Sequence, residues 1–167
     1  MPEGDVQDII FESFIETDKL RVQSGQIKHT PKTGYVEMTV GVLEQDGKVK
    51  SLSPSITIAE DTILSVEEKF QGGTGVNITP PPKEVISPKN LAKVKNSIEE
   101  VAKKIGIRGY ARIDIFVQIK TGNIIVIEIN TLPGLTPSTV IYHQALAEKL
   151  PLYPLQFLEK IIKNKGY

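Results

Sequence analysis

Cysteine and tryptophan are both missing from this 167-residue chain, and aromatic residues make up only 6% of it. Without cysteine there can be neither a disulfide nor a thiolate-bound metal. Net charge is also missing, because twenty lysines and arginines balance twenty aspartates and glutamates. That balance argues against bulk attraction to nucleic acid or an anionic membrane, so neither is expected as a partner. No apolar run approaches the length of a bilayer span; the longest, "IIVIEI" at 124–129, is far too short. The start, "MPEGDVQDII", is acidic and lacks the basic and apolar regions of a secretion signal, so a cytoplasmic location is the default.

What remains is an ordinary globular composition, 40% apolar and 24% charged, of a length that suits one domain. "QDIIFESFIE" reads as a strand near residues 7–15, and the polar stretch up to Thr33 as a long loop or frayed hairpin. "YVEMTVGVLEQDGKVKSLSPSITI" gives two or three strands, with Asp46-Gly47 as a tight hairpin turn. "EEKFQGGTGVNITPPP" is a Gly- and Pro-rich loop of a length that is often functional.

A helix is expected from Ser87 as N-cap and Pro88 at the first position to a stop at Gly106. Its apolar stripe is Leu91, Val94, Ile98, Val101 and Ile105. Two short helices are expected to close the chain, within "STVIYHQALAEKL" and "PLQFLEKIIKNKG". His29 reads as a solvated loop residue, and His143 as a packing or capping residue. Tyr142, Leu146 and Leu150 read as core.

"YARIDIFVQIKTGNIIVIEIN" between 110 and 130 reads as a hairpin. Alternation puts Ala111, Ile113, Ile115, Val117 and Ile119 on one face of the first strand, and Arg112 and Asp114 on the other. On the second strand Ile125, Ile127 and Ile129 share one parity, and Glu128 and Asn130 the other. A three-residue loop, Lys120-Thr121-Gly122, then sets Asp114 opposite Glu128 and Arg112 opposite Asn130. Opposed carboxylates repel unless one protonates or a cation lies between them. Asp, Glu and an Asn amide oxygen are hard donors that suit Mg²⁺, which completes its shell with water and substrate phosphate. Arg112 would neutralise phosphate or a developing oxyanion. The competing reading is a sheet face that is simply solvated.

"GYARIDIF" followed by "EINTLPGLTPST" resembles the C-terminal signature of the D-alanine–D-alanine ligases, in the ATP-grasp superfamily. The resemblance implies an α+β fold, the ATP-grasp C-terminal lobe, with helices packed on a mainly antiparallel sheet. It implies ATP and two Mg²⁺ ions (Mn²⁺ as a possible substitute) held by Asp114, Glu128 and Asn130. Arg112 and the Gly134 backbone would support the acyl phosphate and tetrahedral intermediate, and Thr139, beside Ser138, would hold the substrate carboxylate. Further upstream, "IIFESFI" resembles the strand joining the ATP lobes, which puts Glu12 and the Ile15 backbone at the adenine. "VEMTVGVL" puts Glu37 at the ribose, and "EEKFQGGTGVNITPP" resembles the loop that closes over substrates, with Lys69 on the phosphates.

Phe70 stands where dipeptide-forming members usually carry Tyr, which leaves D-alanyl-D-lactate formation open. Another ATP-grasp carboxylate–amine ligase and a non-catalytic nucleotide-binding module are the remaining alternatives. Family members are longer, form dipeptide for peptidoglycan precursors in the cytoplasm, and are commonly homodimers. Nothing in residues 1–167 matches their N-terminal domain, so the chain is expected to be an incomplete C-terminal piece, inactive alone.

Overall fold

The computed structural model describes residues 11–23, 26–58 and 76–164. Eleven elements follow in order: β1 (Lys19–Gln23), β2 (Gln26–Thr30), β3 (Tyr35–Gln45), β4 (Lys48–Ser51), β5 (Ile56–Ile58), β6 (Val76–Ile78), α1 (Pro88–Lys104), β7 (Tyr110–Gln118), β8 (Asn123–Asn130), α2 (Val140–Leu146) and α3 (Pro154–Lys163).

The central sheet runs β4-β3-β7-β8, and every pairing in it is antiparallel. Strand β7 alternates throughout, and β3 does so over its first half. Val36, Met38, Val40 and Val42 of β3 and Ala111, Ile113, Ile115 and Val117 of β7 form one buried face, packed with Val94, Ile98 and Ala102 of α1. Helix α1 starts as expected, with the Ser87 hydroxyl accepting from the Asn90 amide and Pro88 in the first turn, and Gly106 lies just past its end at φ +71°. Its stripe turns toward Ala102 instead of Ile105, which is the C-cap and 52% exposed.

Among the described residues the opposite face is covered only in part. Leu43 and Tyr110 pack there with Leu52, with Ile141, Tyr142 and Ala145 of α2, and with Phe157 of α3. The Phe157 ring meets Tyr142 and Tyr110 edge-on, at centroid distances of 5.6 and 6.2 Å. Helix α2 stops at Leu146, so only Tyr142 of the expected trio is core; Leu146 and Leu150 are exposed.

The Asp46-Gly47 turn is a two-residue connection, with φ values of 51° and 73° and Gln45 opposite Lys48. Both residues take the left-handed region that a primed turn demands. Residues 11–18, by contrast, form no strand, and the polar stretch after them folds into the β1–β2 hairpin, with Leu20 and Ile27 against the main core. Asp18 anchors that hairpin. Its Oδ1 accepts from the amides of Lys32, Thr33 and Gly34 at 2.7, 2.8 and 2.8 Å, and its Oδ2 lies 2.7 Å from His29 Nε2. His29 is therefore a β2 residue with a buried partner, not a solvated loop residue. Within the Gly- and Pro-rich stretch, residues 76–78 form β6, paired with β5.

The β7–β8 hairpin differs from expectation at its tip. Gln118 faces Asn123, so the connection has four residues, 119–122, with Gly122 at φ +70°. That extra residue would reverse the facing of β8, and a register shift between Asp114 and Ile115 corrects it: Ile115 faces Val126, but Asp114 faces Glu128. Ile127 is the additional residue, a β-bulge. Ile124 and Ile129 consequently pack on the core, whereas Ile125 and Ile127, expected there, lie about two-fifths exposed along the sheet edge.

Candidate ATP and cation site

On the part of the sheet that α2 and α3 leave uncovered, three rows of residues cross the strands. The middle row is Thr39 on β3, Asp114 on β7 and Glu128 on β8. One row to one side lie Gly41, Arg112 and Asn130; to the other side lie Glu37 and Phe116, with Ile125 beyond them. The register therefore sets Asp114 against Glu128 and Arg112 against Asn130, the expected partners, although a four-residue connection with a bulge produces it and not the expected three-residue loop. Residues two apart on a strand share a face at about 7 Å, so Glu37 belongs to the same surface.

The cation between the opposed acids is the Arg112 guanidinium. Its Nη2 lies 3.1 Å from Asp114 Oδ2 and 3.7 Å from Glu128 Oε1. Its Nε is buried and lacks a hydrogen-bond partner among the described residues. An unmatched guanidinium N–H is costly in the interior and suits an incoming anion. The other Asp114 oxygen, Oδ1, accepts from the Thr39 hydroxyl at 2.7 Å. Asn130 Oδ1 accepts from the Leu132 amide at 3.0 Å, which turns the chain away from β8.

These residues fit a hard divalent cation. They offer two carboxylates and an amide oxygen in adjacent rows, and a carboxylate engaged by one donor per oxygen keeps lone pairs for a metal. Among the described residues no cluster of three His, Cys, Asp or Glu side chains has metal-holding geometry. The third donor here is an amide, so the site does not depend on such a cluster.

Gly134, Ser138 and Thr139 follow in the segment 131–139 between β8 and α2. Gly134 and Ser138 are exposed, and a Cβ at Gly134 would meet nothing within 4 Å. Thr139 is the N-cap of α2, and its side chain makes no capping bond. Burial, with Tyr110 nearby, raises the Tyr142 hydroxyl above its usual value. That hydroxyl donates to Leu135 O at 3.4 Å, tying this segment to the helix.

Glu12 is exposed and Ile15 half-buried in the irregular segment 11–18, so the strand expected to carry them to the adenine is absent there. Lys69 and Phe70 lie outside the described residues. A groove of about 780 Å³ beyond the β3–β4 turn is lined by Asp46, Glu148 and Lys160 among others, and by none of the predicted site residues. Sequence reasoning missed Thr39, although its parity with Glu37 placed it on the site face. It also missed Gln144, a fully buried helix residue for which the sequence held no signal.

Residues 32–163 match the family described as D-ala D-ala ligase C-terminus. A D-alanine–D-alanine ligase from Carboxydothermus hydrogenoformans is 30% identical over 128 residues, covering 76% of this chain and 39% of that protein. The crystal structure of D-alanyl-alanine synthetase A from Vibrio cholerae superposes with a TM-score of 0.57 at 26% identity, covering 83% of this chain and 40% of that one. The D-alanine–D-alanine ligase from Bacillus anthracis complexed with ATP gives 0.55 at 22% identity, with the same coverage of each chain. The chain thus spans between about a third and two-fifths of the length of the relatives it matches.

Proposed function

The chain belongs to the D-alanine–D-alanine ligase C-terminal family, and from that premise we propose that it supplies the ATP- and Mg²⁺-holding lobe of a ligase that joins two D-alanines. The observation that carries this reading is the facing pair Asp114 and Glu128, one row from Arg112 and Asn130, on the uncovered sheet face. Residues 1–167 are assigned to the C-terminal ATP-grasp portion, and the first D-alanine site to the part of the relatives' length that residues 1–167 do not cover.

Asp114, Glu128 and Asn130 would hold the metal ions, with Mn²⁺ able to replace Mg²⁺. A bound ion supplies charge neutralisation on the ATP phosphates. Arg112, with its unmatched Nε, binds the anion that develops at the reacting carboxylate, and the Gly134 backbone donates to the same oxygen. Thr139, beside Ser138, offers a hydroxyl that no cap bond engages to the substrate carboxylate. Glu37 is assigned to the ribose, Glu12 and Ile15 to the adenine, and Lys69 to the phosphates. In the reaction a D-alanine carboxylate oxygen takes the γ-phosphoryl group of ATP, leaving ADP. The amine of the second D-alanine then attacks the acyl carbon, loses a proton and expels phosphate. What the chain contributes is positioning and a prearranged field.

Phe70 keeps a hydroxy-acid nucleophile open in place of the second amine. Among the described residues no helix is long and apolar enough to cross a membrane, and the whole enzyme is assigned to the cytoplasm as a homodimer.

Titration of the isotope-labelled chain with Mn²⁺ in the presence of ADP tests the assignment. Broadening is expected to centre on residues 114, 128 and 130 and to vanish in Asp114→Asn. Broadening centred elsewhere, or unchanged in that variant, would overturn it.

A further inference from the structure

We propose that Thr39 is a positioning residue for Asp114, fixing the carboxylate in the orientation that cation binding needs. This rests on the reading of Asp114 as a metal ligand.

The argument begins with a gap in the sheet. β4 ends at Ser51, and past it β3 finds only partial backbone cover. The Leu52 amide reaches Gly41 O at 2.8 Å, and Thr39 and Ser55 exchange both backbone bonds at 2.9 Å. The Gly41 amide is left without a strand partner. Gln144, 0% exposed on α2, fills the gap with its side chain: Oε1 accepts from Gly41 N at 2.7 Å, while Nε2 donates to Thr39 O at 2.8 Å and Ser55 Oγ at 3.0 Å. The amide group substitutes for the missing piece of strand. It fits because residue 41 is glycine; a Cβ there would stand 2.7 Å from Gln144 Oε1.

The Thr39 backbone thus has both its N–H and its C=O engaged, by Ser55 and Gln144, on the side away from β7, while its side chain stands directly opposite Asp114 in the β3–β7 register. A threonine hydroxyl has one hydrogen to give, and here it goes to Asp114 Oδ1 at 2.7 Å. A charge-assisted bond of that length stops the carboxylate from rotating. Oδ2 then stays turned toward Arg112, in the direction of Glu128. Partners of this kind, one bond removed from a metal, typically govern affinity by about 10–100-fold.

The test is Mn²⁺ affinity of the full chain, read from the free Mn²⁺ signal in electron paramagnetic resonance, with amide spectra to verify the fold. Thr39→Val keeps the branched shape and Thr39→Ala provides a second hydroxyl-free variant; Thr39→Ser restores the hydroxyl, and Asp114→Asn defines loss of the site. Both hydroxyl-free variants are expected to bind Mn²⁺ at least about tenfold more weakly, and Thr39→Ser to bind like the parent. Parent-like affinity in either hydroxyl-free variant would overturn the proposal and leave the ligand assignment standing. A parent chain that binds no Mn²⁺, or binds it equally well as Asp114→Asn, would overturn that assignment and this proposal with it.

Discussion

Asp18 shows how much of the molecule rests on single buried charges. Burial alone would raise its pKa, but hydrogen bonds from the Lys32 amide, His29 and the Gly34 and Thr33 amides more than offset this and hold it below the usual 3.8. A carboxylate with a depressed folded-state pKa contributes stability above its unfolded value and loses it as pH falls through the folded one. In urea unfolding, Asp18→Asn is therefore expected to cost about 2 kcal/mol at neutral pH. The gap to the parent should narrow as pH falls below the unfolded value of 3.8 and through the lower folded one; a gap independent of pH would contradict the charge-based account. None of this was legible in the sequence, where Asp18 and His29 lie eleven residues apart in a polar stretch without period. Arg112, Asp114, Glu128 and Asn130 were legible, because strand alternation assigns a face to each residue before any contact is known.

At the scale of elements, propensity and pattern served best where the chain is locally self-consistent. Helix α1 has its cap, its proline and its stripe in agreement, and the Asp46-Gly47 turn could be read from two residues. The irregular segment 11–18 resembles a strand in composition, yet finds no sheet partner among the described residues. The bulge at Ile127 was out of reach for a different reason: a four-residue connection with a bulge and a three-residue connection without one bring Asp114 to the same partner. Only the facing of residues 123–126 and the placement of the bulged Ile127 distinguish them, and residues 124–127 are all apolar. The end of the α1 stripe gives a quantitative check. Ile98→Ala, at a fully buried site, is expected to cost about 3 kcal/mol, whereas Ile105→Ala, at the half-exposed C-cap, should stay within about 0.5 kcal/mol. Similar values for both in denaturant unfolding would mean that the helix packs on a different stripe.

For the whole molecule, the chain spans well under half the length of the ligases it matches, and the proposal makes the site-bearing sheet face one wall of a cleft completed by the rest of that length. Purified alone with ATP, D-alanine and Mg²⁺, it is expected to release no phosphate and form no dipeptide above background. Turnover by the isolated chain would contradict the assignment of the remaining site to the rest of the relatives' length. The placement of the acid row also sets an order of assembly. Asp114, Glu128, Arg112 and Asn130 share one hairpin, whereas Thr39 is 75 residues from Asp114 and Gln144 is 105 from Thr39. Hairpins close within about 1–10 μs, while distant contacts wait on costlier loop closure. On these timescales the two acids are expected to meet early, before the hydroxyl that aligns one of them arrives. Arg112 travels on the same strand as Asp114 and would offset one of the pair's two negative charges as the strands join. The group assigned to the substrate's negative charge thus first serves the protein's own, as a counter-ion that lets the site form.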